Sequence, residues 1–292
     1  LLDWLAAELI RHDYAANHIV RLIVTSDAYQ RAASGHNAIA APESRLFTAP
    51  DRRRLTAEQV VDSLHVVTGR AIDSEELTFV HDGRRPISNR LTLGIPTRAW
   101  MFADLKNERD RPSLSLPRAR LVVDVLEAFG WTGSRQKPVT ARETDPNVLQ
   151  PGVLANGILT VQLTRASIDT HLAQLAIEAT SAEQLVDQLF LSVLSRSASP
   201  AEKTAMVQAL APGFAERLVP EAELVYPQAP PELPLVTWFN HLQPEANSIQ
   251  QEVERRVREG SPADPRLRPE WREIYEDVIW SLINHAEFVW MP

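Results

Sequence analysis

The chain has 292 residues, of which 44% are hydrophobic and 23% are charged, a composition typical of a folded globular protein. A formal net charge of −8 argues against general nucleic-acid binding, because contacts with phosphate require a basic face. The chain contains no cysteine, so its own residues cannot form disulfides, thiolate metal sites or covalent attachments to haem. No apolar run approaches the roughly 18 to 20 residues of a membrane span, and the sequence predicts no transmembrane segment.

Apolar residues recur at three- and four-residue intervals along most of the chain, which predicts an all-α fold of irregularly arranged helices. The first two stripes lie in residues 1–10 and 19–24. A capping box at Thr56 and Gln59 indicates the start of a third helix, and Gly69 supplies a left-handed stop.

Less regular sequence follows in residues 70–113, where we expect loops and a short hairpin around Leu91 to Leu93. A further helix is predicted to begin at Pro117 and to end before Gly130.

The second half of the chain continues the helical pattern. Apolar helical segments are expected over residues 153–163 and 168–179. The start signals of the next two helices are the capping pairs Ser181 with Gln184 and Ser199 with Glu202. A final amphipathic helix is predicted from Trp271 to Ala286 and includes His285.

Residues 212–269 hold ten of the chain's 21 prolines. This density prevents regular structure, except for a polar helix predicted from Pro244 to Glu259. The aromatic residues Tyr226, Trp238 and Phe239 in this stretch are candidates for binding a partner. The predicted organisation is a helical core domain at 1–211, a proline-rich insertion or arm at 212–269, and a C-terminal helix at 270–292 that packs back on the core. Docking of the arm on its own core and docking on another chain both remain open.

The sequence contains no common nucleophile, metalloprotease, phosphate-loop or dinucleotide motif. Glu58, Asp62 and His65 share one face of the third helix and could bind a divalent cation. We favour ion pairs between the two acids and the arginines at 52–54, which leaves His65 as a partly exposed neighbour. Because the other histidines are scattered singly, no metal site and no cofactor are expected in this chain.

A polar loop between apolar helices is the best candidate for a functional cleft. Its charged cluster comprises Arg135, Lys137, Arg142, Glu143 and Asp145. Two carboxylates could share acid and base roles across a glycosidic bond if they lay about 5 to 10 Å apart. Turn formation, with Asp145 and Asn147 bonding backbone N–H groups, is the favoured alternative.

Several short segments of this sequence form a recurring set of landmarks: Leu2–Ala6 with Arg21–Ile23, Arg53–Leu55 with Glu58, Ser113–Arg118, Leu126–Phe129, Leu149–Asn156, and Ser195–Arg196 followed by Ser199–Glu202. These segments resemble the landmarks of a planctomycete-type domain family of unknown function, the PSD family. Two features depart from the family pattern. A cysteine often found between the central helix and the Leu-x-Asn segment is absent, and residues 212–269 resemble an insertion.

The resemblance implies a domain at the C-terminal end of a secreted protein, behind a c-type cytochrome domain and a second partner domain. It therefore implies an extracytoplasmic location, periplasmic or secreted, and any haem would belong to an upstream segment or a partner chain. The chain begins without Met inside an apparent helix, so we expect an upstream portion. No catalytic residues are implied.

These observations favour a non-catalytic structural or interaction module of a cytochrome-linked protein or electron-transfer complex, with other subunits or domains as partners, including a c-type cytochrome. The alternative is an enzyme that acts on an extracellular polymer such as a polysaccharide, with a site near residues 135–147. The first function predicts an apolar or proline-lined surface that a partner buries, whereas the second predicts a concave pocket with converging carboxylates.

Overall fold

The structure, a computed structural model, describes residues 1–31, 53–75, 77–78, 92–94, 97–99, 101, 114–131, 146–168, 170–236 and 240–291. Within these ranges the chain forms twelve α-helices and four strands of two or three residues. The prediction of a mainly helical fold is therefore confirmed. Among the described helices, none has the length and hydropathy needed to cross a bilayer.

The helices are numbered here in chain order. They are α1 (Leu2–Arg11), α2 (Ala16–Val24), α3 (Ala57–Thr68), α4 (Pro117–Ala128), α5 (Leu149–Asn156), α6 (Ile158–Thr164), α7 (His171–Glu178), α8 (Ala182–Leu194), α9 (Pro200–Leu210), α10 (Pro244–Glu259), α11 (Pro269–Ile283) and α12 (Ala286–Val289). The strands are β1 (Arg53–Arg54), β2 (Leu77–Thr78), β3 (Thr92–Gly94) and β4 (Trp290–Met291). β1 pairs antiparallel with β4, and β2 pairs antiparallel with β3.

The first compact unit consists of Leu1–Arg54 and Val289–Pro292. Within it, α1 packs against α2. The turn between these helices contains two successive left-handed residues, Asp13 with φ 49° and Tyr14 with φ 59°. Left-handed backbone is uncommon for residues that carry a Cβ. Here it reverses the direction of the chain, and the two helices form a hairpin.

The second compact unit spans Leu55–Phe288 and contains the apolar core. α3 packs against α4, α6 and α7, while α11 packs against α6, α8 and α9. The largest fully buried side chains are Leu64, Leu126, Leu172, Leu185, Leu189, Phe190, Leu210, Leu267, Tyr275 and Ile279. Burial of one such side chain stabilises the fold by about 1.5 to 3 kcal/mol relative to exposure, so these helices hold one another together mainly by packing.

Two aromatic side chains of α11 add hydrogen bonds to this packing. The indole N–H of Trp271 donates to the carbonyl of Leu210 at 2.9 Å. The hydroxyl of Tyr275 is fully buried and donates to the carbonyl of Leu172 at 2.8 Å. Burial raises the pKa of Tyr275, so its hydroxyl stays protonated and able to donate. α11 is thereby fixed to the ends of two other helices.

Several predicted helix ends are confirmed by their capping contacts. Thr56 and Gln59 form the expected capping box at α3, with reciprocal bonds of 2.9 and 3.3 Å. The hydroxyl of Ser181 accepts from the Gln184 N–H at the start of α8. Gly69 follows α3 with φ 70°, the left-handed conformation predicted for it. These signals act within one helical turn, which makes them readable from sequence.

Two predicted helical segments have different boundaries in the structure. The segment predicted at 153–163 is split into α5 and α6 because Gly157 adopts an extended conformation, with φ −63° and ψ 136°. The segment predicted at 168–179 begins later, at His171. Thr170 is extended there, and its hydroxyl accepts a hydrogen bond that starts α7.

The prediction that His285 lies inside the final helix was wrong, because α11 ends at Ile283. The backbone N–H and the side-chain amide of Asn284 both donate to the carbonyl of Trp280, at 3.0 and 2.9 Å. These bonds close the last turn. His285 therefore lies in the short link to α12.

Part of the proline-rich stretch is bonded into the second unit. α10 has the predicted bounds, Pro244–Glu259, and packs against α4. The backbone N–H of Val219 donates to the carbonyl of Arg266 at 2.9 Å, and that of Asp264 donates to Ala166 at 2.8 Å. The domain limits proposed from the sequence, 1–211, 212–269 and 270–292, stay a prediction.

The end of α3 generates a test of the fold. A Cβ built on Gly69 would lie 2.5 Å from the Cβ of His171, and the backbone φ there is positive. We expect Gly69→Ala to lower the free energy of unfolding by more than about 1 kcal/mol, because both strain and the clash must be accommodated. Denaturant unfolding followed by circular dichroism measures this change.

Gly152, within α5, is the matched control, because a Cβ there would meet nothing within 4 Å. Gly152→Ala should raise the free energy of unfolding by about 0.4 to 1 kcal/mol, since alanine loses less backbone entropy in a helix. Equal effects of the two substitutions would contradict the close approach of α3 and α7.

Candidate functional site

The segment Ser195–Glu202 forms a charged corner between α8 and α9. Ser195 is left-handed, with φ 55°, and turns the chain out of α8. Two guanidinium nitrogens of Arg196 donate to the two carboxylate oxygens of Glu202, at 2.7 and 2.9 Å, and its Nε donates to Glu287 at 2.6 Å. Ser199 and Glu202 form the predicted capping box at α9. The motif therefore fixes a corner of the fold.

Electrostatics at this corner follow from the same contacts. Hydrogen bonds from Arg196 and Ser199 hold the pKa of Glu202 well below its usual range. The carboxylates of Glu202 and Glu287 in turn raise the pKa of Arg196. About a third of the Arg196 and Glu202 side chains is exposed, so water screens the pair and limits its contribution to stability.

Arg217 is a buried cation of the second unit, with only 6% of its surface exposed. Its guanidinium donates to four carbonyl oxygens, those of Ala176 at 2.7 Å, Ile177 at 3.2 Å, Ala179 at 2.6 Å and Phe214 at 2.8 Å. Three of these carbonyls lie at the end of α7, where no further helical turn supplies a donor. Burial lowers the pKa of Arg217, but a guanidinium remains charged. This cation completes a helix end.

The cation site considered at Glu58, Asp62 and His65 is not formed. His65 is buried, with 8% exposure, so the expectation of partial exposure was wrong. Its Nδ1 lies 3.0 Å from the carbonyl of Arg70 and must donate, because a carbonyl only accepts. Burial lowers the pKa of His65, which favours the neutral ring. In the described ranges these three residues do not form a group with ligand atoms within 4.8 Å of one another.

The predicted polar cluster lies outside the described residues, and its role stays a prediction. Its members are Arg135, Lys137, Arg142, Glu143 and Asp145. The neighbouring Asn147 is described. Its side-chain oxygen accepts from the N–H groups of Leu149 and Gln150, at 2.9 and 3.2 Å, and its amide donates to Ala128. The turn-forming role predicted for Asn147 is confirmed.

The predicted partner-binding aromatics are described only in part. Tyr226 is 55% exposed, and the apolar residues Val225 and Leu235 of the same stretch are exposed as well. Trp238 and Phe239 lie outside the described residues. The described portion of the arm therefore presents apolar side chains to solvent, and its binding of a partner stays a prediction.

The α1–α2 hairpin brings two histidines that were predicted to be isolated together with a glutamate. Glu8 and His12 lie one turn apart on α1, and His18 lies in the first turn of α2. Oε1 of Glu8 is 3.1 Å from Nε2 of His12 and 3.3 Å from Nε2 of His18. Glu8, His12 and His18 each offer one possible metal-ligand atom, and in the described part of the chain these three atoms all lie within 4.8 Å of one another.

Further contacts hold these side chains in place and keep the Glu8 carboxylate ionised. Arg11 donates to Oε2 of Glu8 at 3.0 Å. The imidazole rings of His12 and His18 stack with their centroids 3.7 Å apart. Hydrogen bonding by His18, then by Arg11 and His12, lowers the pKa of Glu8. The spacing Glu-x-x-x-His followed by a second histidine across a turn was the sequence signal for this group.

The same hairpin carries many exposed apolar side chains. No residue of α1 or α2 is buried. The large exposed ones are Leu2, Trp4, Ile10, Val20 and Ile23. Val20 and Ile23 are three residues apart and share a face of α2. Because burial of one such side chain is worth about 1.5 to 3 kcal/mol, contact with an apolar surface would be strongly favoured.

Comparison with family models identifies the family of this chain. The profile of PSD1, a protein of unknown function (DUF1553), matches residues 1–210. This match covers more than half of the 292 residues, and the chain belongs to the PSD1 family. The matched region includes the hairpin and the Ser195–Glu202 corner. Searches of curated proteins and of solved structures find no match.

The charged corner generates a second test. Arg196→Gln and Glu202→Gln should each lower thermal stability, and the double variant should lose less than their sum because both remove the same pair. The expected coupling energy is roughly 0.2 to 1 kcal/mol for a screened pair. A double-mutant cycle at pH 7 measures it, and additive effects would contradict a stabilising pair.

The pH dependence of this coupling has a defined sign. The folded pKa of Glu202 lies below its unfolded value, so the contribution is fully present above the unfolded pKa of about 4.3. It should decline as the pH falls further towards the folded pKa, because Glu202 then binds a proton in the unfolded state first. Repeating the cycle between about pH 7 and pH 3 checks this. A coupling energy that grows as the pH falls would contradict the pairing of Arg196 with Glu202.

Proposed function

We propose that this chain is a non-catalytic interaction module of an extracytoplasmic, cytochrome-linked protein or assembly. The observation that carries the proposal is the α1–α2 hairpin, whose two helices contain no buried residue. Its exposed side chains include Trp4 and Ile10. Large exposed apolar surface on a folded protein favours a protein partner, because association removes that surface from water.

The second unit supports an architectural role. Arg217 completes a helix end, Arg196 pairs with two carboxylates, and the hydroxyl of Tyr275 fixes α11. Buried or strongly perturbed ionisable groups also occur at catalytic sites, but structural networks perturb them in the same way. Each of these three side chains has its donors directed at partners within the fold, which favours a rigid platform.

The partners and the location rest on the resemblance of the sequence motifs to the planctomycete-type PSD family. That resemblance supports an extracytoplasmic chain joined to, or assembled with, a c-type cytochrome domain. Haem would then belong to an upstream segment or to a partner chain. The net charge of −8 favours a partner with a basic surface, because complementary charge speeds encounter and orients the complex.

The alternative function is an enzyme that acts on an extracellular polymer such as a polysaccharide. Its proposed site, at residues 135–147, lies largely outside the described residues. The described member Asn147 bonds the start of α5 and so forms a turn. This contact agrees with the turn that is the alternative to a functional cleft at this loop.

Site-specific photo-cross-linking tests the proposed function. A photoreactive phenylalanine analogue at Trp4 or Val20 of the native protein should form adducts with a partner domain or subunit, because these exposed side chains would lie in the interface. Mass spectrometry identifies the attached peptide, and haem staining shows whether the partner carries a cytochrome.

Leu191 is the matched control, since it is 56% exposed on α8 in the second unit. The analogue at Leu191 should give few adducts. Equal labelling from Leu191 and Trp4, or no labelling from the hairpin positions, would contradict an interface on the hairpin. Turnover of a polysaccharide by the purified chain, lost when Glu143 and Asp145 are replaced by amides, would favour the enzyme instead.

A further inference from the structure

The ionisable group of the α1–α2 hairpin has the donor set of a transition-metal site. Glu8, His12 and His18 supply one carboxylate oxygen and two imidazole nitrogens. Imidazole suits zinc and its neighbours in the transition series, and carboxylate oxygen is a common third donor. Three protein donors leave a fourth tetrahedral position for water.

The two distances from the Glu8 carboxylate oxygen match those that a tetrahedral ion requires. Zinc–ligand bonds of about 2.0 to 2.1 Å at tetrahedral angles place the donor atoms about 3.3 Å apart. The observed separations from Oε1 of Glu8 are 3.1 Å to His12 and 3.3 Å to His18. Hydrogen bonds span similar distances, so the convergence of two Nε2 atoms on one oxygen is the more telling feature.

Without a metal ion, two hydrogen bonds to one oxygen hold the group together, which the two lone pairs of a carboxylate oxygen allow. Both imidazoles would have to donate from Nε2 to the same Oε1 of Glu8 while their rings stack 3.7 Å apart. A cation between the three atoms would instead bind the lone pairs of both nitrogens and one lone pair of the oxygen, so it would use the same three atoms. The stacked rings lie 27° from parallel, so they must open from this stack for the lone pairs of both Nε2 atoms to point at one ion.

The surroundings of Glu8 also suit metal binding. Arg11 donates to Oε2, which holds the carboxylate in place and leaves Oε1 for the imidazoles. Metal-bound carboxylates commonly have such an outer hydrogen bond. The side chains of Glu8, His12 and His18 are 16%, 46% and 30% exposed, so an ion can enter from solvent.

We propose that Glu8, His12 and His18 form a binding site for a divalent transition-metal ion, with Zn²⁺ the best match to the donor set and spacing. The site joins α1 to α2 across their left-handed turn. The bound ion would fix the angle of the hairpin whose exposed face is the proposed interface. This inference departs from the expectation of no metal in the chain, and it does not depend on the proposed partner.

Metal titration of the untagged 292-residue chain tests the site. The chain is first treated with a chelator and then titrated with Zn²⁺ alone by calorimetry. We expect about one equivalent to bind. Co²⁺ in place of Zn²⁺ should give the visible absorption of a four-coordinate site. Glu8→Gln, His12→Ala and His18→Ala should each abolish the binding, while Arg11→Gln should weaken it about 10- to 100-fold.

His285→Ala is the matched control, because it removes a histidine outside the site, one of eight in the chain, and should leave the titration unchanged. Far-UV circular dichroism confirms that each variant is folded, and Glu8→Gln keeps the shape of the side chain. Failure of the unaltered chain to bind Zn²⁺ would overturn the proposal. Undiminished binding in the Glu8→Gln, His12→Ala or His18→Ala variant would overturn it as well.

Discussion

The packing of the second unit depends on a buried positive charge that must be satisfied. Arg217 meets this requirement by donating to three carbonyls at the end of α7 and to Phe214. Its guanidinium also lies 3.9 Å from the ring centroid of Phe214 and 6.0 Å from that of Trp271. Loss of the cation would leave buried acceptors without donors, at a cost of about 1 to 3 kcal/mol for each group. One side chain thus joins α7, the start of the proline-rich stretch and α11.

Signals that act within a few residues were predictable from the sequence. The capping boxes at Thr56 and Ser199 and the helix Pro244–Glu259 occur where predicted, because caps and proline limits are set locally. Features that depend on tertiary contacts were not predictable. The burial of His65 and the role of Arg217 arise from segments far apart in the chain, which periodicity does not specify.

The candidate site was likewise predictable only where its residues are close in sequence. The pair Glu8 and His12 could have been found by its helical spacing. The addition of His18 requires the angle of the turn, which two left-handed residues set. Exposure of the hairpin is likewise invisible in the sequence, since its apolar stripes predict burial. The polar loop at 135–147 keeps its predicted alternatives, apart from the turn formed by Asn147.

Hydrogen–deuterium exchange tests most directly whether the hairpin is an interface. In the isolated chain, with a chelator present, amides of α1 and α2 should exchange faster than those of α3 and α11, because exposed helices open locally at low free energy. In the native assembly, exchange in α1 and α2 should slow while the buried helices change little. Hairpin exchange that is equally fast in the isolated chain and in the assembly would contradict the account.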